Sequence, residues 1–278
     1  MSVSGTETVD YEVEYNNRAR VPEHPQLMAG WARDAAAYRA EHAPRRLTYG
    51  PGPRNVIDLF EADGDGDGAI VMFIHGGYWQ ALDGSSSSHC ARGLNRHGIT
   101  VAVPTYDLCP QVTIGTIIQE MRSAARELAR LGRPLVISGH SAGGHLAACM
   151  LATDWHALDP ALPQDLVRAA YAISGLFELE PLVATSVNKA LGMDNASAHA
   201  ASPLFWTPPA GKSLDAVVGG SESAEYLRQS RTIAERWGAA GVATRYGEIA
   251  DANHFTAIAP LADPDSAMVA RLKELAGR

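Results

Sequence analysis

The stretch Leu135-Val-Ile-Ser-Gly-His-Ser-Ala-Gly-Gly-His-Leu-Ala-Ala148 limits what this chain can become more than any other. Leu135–Ser138, with the β-branched pair Val136 and Ile137, reads as a short buried strand, and the Ala/Leu-rich residues after Gly143 read as a helix. Between them lies Gly139-His-Ser-Ala-Gly143. A chain that passes from strand to helix over five residues holds Ser141 on a sharp, strained turn, with its hydroxyl clear of the sheet. A side chain at 139 or 143 would collide with the neighbouring strand or helix, which is why both are glycine. The helix points its free amides, Ala142 among them, at the serine, where they favour developing negative charge.

The rest of the chain is consistent with a sheet around that strand. Residues 1–50 begin polar. From Glu23 to Ala43 the apolar residues Leu27, Met28, Trp31, Ala35 and Tyr38 recur at helical spacing, so this part of an N-terminal extension (about residues 1–45) reads as an amphipathic helix lying on the main body. Tyr15-Asn-Asn-Arg18 before it reads as a turn. Asn55–Glu61 and Ala69–Ile74 read as strands joined by the Gly-rich turn Ala62–Gly68, a hairpin. The Asp-Gly repeat in that turn invites a calcium reading. A calcium loop starting at Asp63 needs a carboxylate at its twelfth position, and that residue is Ile74, so a solvated turn is the better reading. Downstream come a helix over 85–97, a strand Thr100–Pro104 and a strongly amphipathic helix over 113–131. A strand then lies within Leu166–Ser174, followed by a strand Leu214–Val218, a helix Glu225–Ala239, a strand Val242–Gly247 and a last helix Asp263–Ala276. About residues 176–210 break this rhythm and read as a cap-like insertion over the site. Strands alternating with helices imply an α/β fold, a mostly parallel doubly wound sheet with helices on both faces. No linker or repeat divides the chain, so residues 1–278 read as one domain.

Composition removes some classes of function. A net charge of −8 disfavours nucleic acid and anionic membrane as partners, since both need a basic face. No apolar run approaches the about 20 residues of a membrane span, and the N-terminus, MSVSGTETVDYEVEY, has no apolar leader core. Cys90, Cys109 and Cys149 are scattered and odd in number, which suits a reducing compartment, with Cys149 buried on the helix after Ser141. The expected location is cytoplasmic. No phosphate-binding glycine loop occurs, and His75, His140 and His145 lack metal-ligand spacing, so no cofactor and no metal are expected.

Acyl transfer by a serine needs a base, an acid to orient it and donors for an oxyanion. His75-Gly-Gly-Tyr-Trp79 follows the strand ending at Ile74, and its glycines let backbone amides approach a carbonyl oxygen. The amides of Gly76, Gly77 and Ala142 are therefore the candidate oxyanion hole. Of ten histidines, His145, His156, His199 and His254 follow Ser141, and only His254 lies beyond the last strand, where the base belongs. The acid should follow Leu214–Val218. Glu222 is favoured because Glu225 already suits a first helical turn, and Asp251 lies only three residues from His254; the three remain open. Tyr78, Trp79, His140, Phe177, Phe205 and Trp206 are candidates for a pocket that accepts an aromatic group.

Several segments together resemble the arylformamidases (kynurenine formamidases) of the α/β-hydrolase fold. They are His75–Trp79, Tyr106-Asp-Leu108, Gly139–Ala147, Ser174–Leu182, Leu204 after Ser202-Pro203, Gly219–Ser230, His254-Phe255 and the Tyr15-Asn-Asn-Arg18 start with its helix. The resemblance runs over nearly the whole chain. It implies that fold, a triad of Ser141, Glu222 and His254, and hydrolysis of N-formylkynurenine to kynurenine and formate. The family often has Asp where this chain has Glu222. The expected activity is metal-independent serine hydrolysis of a small-molecule ester or amide, with a carboxylesterase or another amidase as the alternative. The sequence leaves the oligomeric state open, with a homodimer as one candidate. A non-catalytic binding protein on the same fold is the competing class; it would leave Ser141 unlabelled by a serine-directed phosphonate.

Overall fold

The computed structural model describes residues 9–62 and 68–277. Its N-terminal part comprises two short helices, α1 (Tyr11–Tyr15) and α2 (Asn17–Arg20), and the long α3 (His24–Glu41). Pro25 sits in the first turn of α3, where its missing N–H costs nothing. The strands β1 (Arg45–Thr48), β2 (Val56–Phe60) and β3 (Ile70–Ile74) follow, then α4 (Arg92–Asn95), β4 (Val101–Thr105), α5 (Ile114–Ala129) and β5 (Leu135–His140). After β5 come α6 (Ala142–Leu151), α7 (Trp155–Leu158) and β6 (Val167–Ile173). The short helices α8 (Asn188–Leu191) and α9 (Asn195–Ala200) lie in the irregular segment, and β7 (Ser213–Gly219), α10 (Ala224–Ala239), β8 (Ala243–Ile249) and α11 (Ala267–Leu275) complete the chain.

Among the described residues the strands form one eight-stranded sheet in the order β1-β2-β4-β3-β5-β6-β7-β8. β2 pairs antiparallel with β1 and with β4, and every later pairing is parallel. β3 and β5 are buried along their length, as strands covered on both faces must be. Ile70, Met72 and Ile74 face α5 and α6, meeting Ile117, Met121 and Leu146. Val71 and Phe73 face the opposite layer, with Tyr38 of α3, Leu94 of α4 and Val269 of α11. α6 is buried all round, Cys149 included, which accounts for its Ala/Leu composition. Among the described residues no helix is long and apolar enough to cross a membrane.

The expected hairpin between Asn55–Glu61 and Ala69–Ile74 does not form, because β4 lies between β2 and β3. A Gly-rich turn reverses the chain but does not oblige the flanking strands to pair. The continuous apolar run of β3 takes parallel neighbours on both edges, β4 and β5, whereas β2 carries the buried Asp58 and sits one strand from the edge. Arg39 of α3 (2.6 Å) and Arg46 of β1 (2.9 Å) pair with that carboxylate and tie the N-terminal helix to the sheet. Asp63 and the Gly-rich turn through residue 67 lie outside the described residues.

Two expectations differ in detail, and one strand is unexpected. Gly84–Ala91 is a 3-10 helix before the short α4, because the hydroxyls of Ser86 and Ser88 bond to the carbonyls of Asp83 and Ser85 and compete with an α-turn. The last helix begins at Ala267 under a Ser266 cap rather than at Asp263, since Pro264 disfavours helical backbone before it. β1 carries no signal in the sequence: its exposed residues show no alternation, as an edge strand allows.

Candidate active site

Ser141 stands between β5 and α6 with φ 57° and ψ −118°, a conformation that L-residues rarely adopt. The flanking glycines explain how the chain fits there. A Cβ on Gly143 would lie 1.9 Å from the carbonyl oxygen of Ile74, and one on Gly139 would lie 2.2 Å from that of Gly143. The backbone amide of Ser141 donates to the carbonyl of Ile173 at 2.8 Å, which fixes the turn to β6.

His254 lies in the loop after β8, buried. Its Nδ1 is 2.7 Å from Oε2 of Glu222, whose carboxylate is fully shielded from solvent. The other carboxylate oxygen accepts from the Ser174 hydroxyl at 2.5 Å and from the Gly219 amide at 2.8 Å. Glu222 thus accepts on both oxygens, from Ser174 and Gly219 on one and from Nδ1 of His254 on the other, which leaves Nε2 as the ring nitrogen without the carboxylate. The other two acidic candidates are elsewhere. Glu225 binds Arg228 at 2.7 and 2.9 Å and accepts from the Tyr15 hydroxyl at 2.8 Å. Asp251 is exposed, in a turn with positive φ.

The amides of Gly76 and Gly77 donate to no other group among the described residues, and that of Ala142 opens α6. These three therefore have N–H groups to spare beside Ser141. His75 does not face this space. It is fully buried, stacked on Tyr106 with ring centres 4.1 Å apart, and burial lowers its pKa to about 4. His145 is likewise buried and neutral, with a pKa lowered to about 4 by burial, and binds the carbonyl of Ala201 at 2.7 Å. Among the described residues no group of three His, Cys, Asp or Glu side chains gathers in a metal-binding arrangement.

A cavity of about 450 Å³ opens onto Ser141 and His254. Of the expected pocket residues it is lined by Tyr78 and His140, but not by Trp79, Phe177, Phe205 or Trp206. Trp79 is buried, edge-on to His145, and Phe177 lies in the core. Phe205 stacks on His199, and Trp206 lies under the Arg122 guanidinium by a separate cavity. Proximity in sequence to a motif makes these four candidates, and packing uses them instead. The aromatic wall comes from two residues that no motif marks as site residues, Trp31 of α3 and Phe255, whose ring centres are 5.9 Å apart.

The N-terminal segment closes another side of the cavity. Asn17 donates from Nδ2 to the Tyr226 hydroxyl at 2.9 Å, and the Tyr78 hydroxyl donates to the carbonyl of Tyr15 at 2.6 Å. Since that uses the only proton of Tyr78, the 2.8 Å contact between the two phenols has Tyr226 as donor. Tyr226 also neighbours the Ser141 side chain, and its ring centre is 4.7 Å from that of His254. The density of hydrogen-bonding residues in Tyr15-Asn-Asn-Arg18 is the signal in the sequence for this. From the cap-like segment, Thr185, Ser186 and Val187 reach the cavity.

A family model described as alpha/beta hydrolase fold matches residues 71–258, which span β3 to the loop of His254. The kynurenine formamidase of Danio rerio is 27% identical over 84% of this chain and 81% of its own length. That of Salmo salar is 29% identical over 84% and 81%. A solved structure of a Silicibacter protein, suggested to be a thioesterase, has a TM-score of 0.81 and 36% identity, covering 95% of this chain and 98% of its own. The chain therefore belongs to the α/β-hydrolase fold family and is a hydrolase similar to the kynurenine formamidases.

Proposed function

We propose that this hydrolase cleaves a small aryl amide or ester by nucleophilic catalysis at Ser141, and that its amide substrate is an N-formylated arylamine such as N-formylkynurenine. The observation that carries the reading is the buried pair of His254 and Glu222, 2.7 Å apart, with His254 lining the same cavity as a serine held on a strained elbow. His254 takes the Ser141 proton on Nε2 as Oγ attacks the carbonyl carbon. Glu222 holds the imidazole in the required tautomer and stabilises the imidazolium. The oxyanion is met by the amides of Gly76, Gly77 and Ala142, each such donor being worth on the order of a hundredfold in rate. Collapse expels the leaving group with the proton from His254, and water then releases formate from Ser141 by the same steps. The aromatic wall of Trp31 and Phe255 suits an aryl group.

The test compares N-formylkynurenine with a short-chain p-nitrophenyl ester, using the unaltered chain and Ser141→Ala. Loss of the nucleophile is expected to cost several orders of magnitude in kcat, up to about a millionfold. Turnover of N-formylkynurenine at least as efficient as that of the ester, abolished in the variant, supports the formamidase reading. Cleavage of the ester alone would keep the mechanism and reject the substrate.

A further inference from the structure

His140 has an arrangement that the mechanism above does not use. Its Nε2 lies 2.8 Å from the backbone carbonyl oxygen of His254, which can only accept, so Nε2 carries the hydrogen. Burial, and to a lesser degree His254, holds the ring neutral, its pKa well below the ordinary histidine value. A neutral imidazole with its hydrogen on Nε2 has a bare lone pair on Nδ1. That Nδ1 receives no hydrogen bond among the described residues. The ring cannot turn over without breaking the bond to His254, and it packs against the His254 ring, centres 4.7 Å apart, and the nearly perpendicular Trp31 ring, centres 6.2 Å apart.

The lone pair has a definite place. A Cβ on Gly76 would lie 3.1 Å from Cβ of Ser141 and 3.3 Å from Nδ1 of His140. Nδ1 and the serine thus flank one point, at the edge of the amides offered to the oxyanion, and His140 lines the cavity. The leaving atom must lie on the His254 side of the scissile carbon, because His254 gives it a proton, and the His140 ring adjoins His254 there.

We infer that Nδ1 of His140 accepts a hydrogen bond from the scissile N–H and so tunes this hydrolase toward secondary amides and away from esters. This rests on the proposed serine mechanism. As Ser141 Oγ bonds to the carbonyl carbon, the nitrogen becomes tetrahedral and its lone pair turns toward His254. The N–H then points away from His254 and needs an acceptor. When the C–N bond breaks, its electron pair stays on nitrogen, which takes the proton from His254 Nε2; the oxyanion re-forms the carbonyl on Ser141, and the amine leaves with its original hydrogen still shared with His140. An ester oxygen has no hydrogen to offer and meets the Nδ1 lone pair with its own. His140 is a catalytic residue for amides only.

The experiment uses formanilide and phenyl formate, which share acyl group and ring and differ in N–H against O, with spontaneous hydrolysis subtracted. His140→Gln keeps a donor at the ε position for the carbonyl of His254 and puts carbon where Nδ1 was, with its only acceptor moved out to Oε1; His140→Asn keeps an acceptor near Nδ1 and loses the reach to that carbonyl. The amide-to-ester ratio of kcat/KM is expected to fall about tenfold in His140→Gln and to stay within about twofold of the unaltered chain in His140→Asn, though both rates drop there. As a check that needs no variant, N-methylformanilide, which lacks the N–H, is expected to be a poorer substrate than formanilide by about tenfold or more. An unchanged ratio in His140→Gln, or turnover of phenyl formate without formanilide, overturns the inference. Both activities surviving in Ser141→Ala would instead overturn the serine mechanism itself.

Discussion

Glu222 shows what one residue contributes at this site. Its carboxylate is shielded from solvent and accepts from His254, Ser174 and the Gly219 amide. Glu222→Gln keeps the shape and reverses the polarity, since an amide nitrogen facing Nδ1 forces the imidazole hydrogen onto Nε2. On the proposed mechanism the base is then occupied before it meets Ser141. Kcat is expected to fall about 10³–10⁴-fold with little change in KM, by analogy with the same exchange in a serine protease. A kcat within tenfold of the unaltered enzyme, measured on protein whose thermal melt shows it folded, would mean that Glu222 does not orient the base. Sequence leaves Glu222, Glu225 and Asp251 open because all three are acidic residues near a strand end or near the histidine. The contacts that separate them come from Tyr15 and Arg228 for Glu225 and from the turn at Asp251.

At the scale of elements, the N-terminal helices are part of the site rather than an appendage. Tyr15 closes α1 and sends its hydroxyl to Glu225 of α10 at 2.8 Å, while Gln229 of the same helix donates to it at 2.7 Å. Glu14 accepts from the Glu225 amide at 3.0 Å, and Glu12 binds the amide and hydroxyl of Ser186. The segment that carries Asn17 to Tyr226 is therefore docked by a polar network that is buried at Tyr15, Gln229 and Asn17 and exposed at Glu12. Tyr15→Phe leaves Glu225 and Gln229 each short of a partner, at a cost of about 1–3 kcal/mol. Melting temperature is expected to drop by a few degrees, and KM to rise as the cavity wall loosens. Unchanged KM in the variant would show that docking and substrate binding are separate. The sequence marks α3 as a helix through its spacing, yet nothing local tells that Trp31 of that helix lines a cavity while Trp79, beside a glycine motif, is buried in the core.

The whole molecule folds around several histidines whose charged form is disfavoured by burial. Burial lowers His75, His89 and His145 to about 4, and burial with the neighbouring His254 holds His140 well below its ordinary value. In the unfolded chain each titrates near the ordinary value of about 6.5. Between those values the unfolded state binds more protons, so stability rises with pH across that window. It is fully present above pH about 6.5 and is lost as pH falls toward 4. A tenfold difference in proton affinity between the two states is worth about 1.4 kcal/mol per group, and the effect is expected to be large: the urea midpoint at pH 5 should lie well below that at pH 7.5. Equal midpoints would mean that these side chains find compensation on protonation.

The devices that can be read from the chain alone lie within a few residues of one another. The strand, the glycines around Ser141 and the helix that follows are such a device, because a strained φ and a missing Cβ are local requirements. The alternation of strands and helices and the position of His254 after the last strand are legible for the same reason. Which strands are neighbours, which carboxylate meets His254 and which aromatic rings face the cavity are settled only when the layers pack. β4 displaces the expected hairpin because an apolar strand is buried best between two parallel partners. Asn17 and Tyr226 bond across 209 residues, and His140 and His254 across 114. Such pairings are set by the packing of layers, where burial and hydrogen bonding are satisfied together, and no local pattern in the chain encodes them.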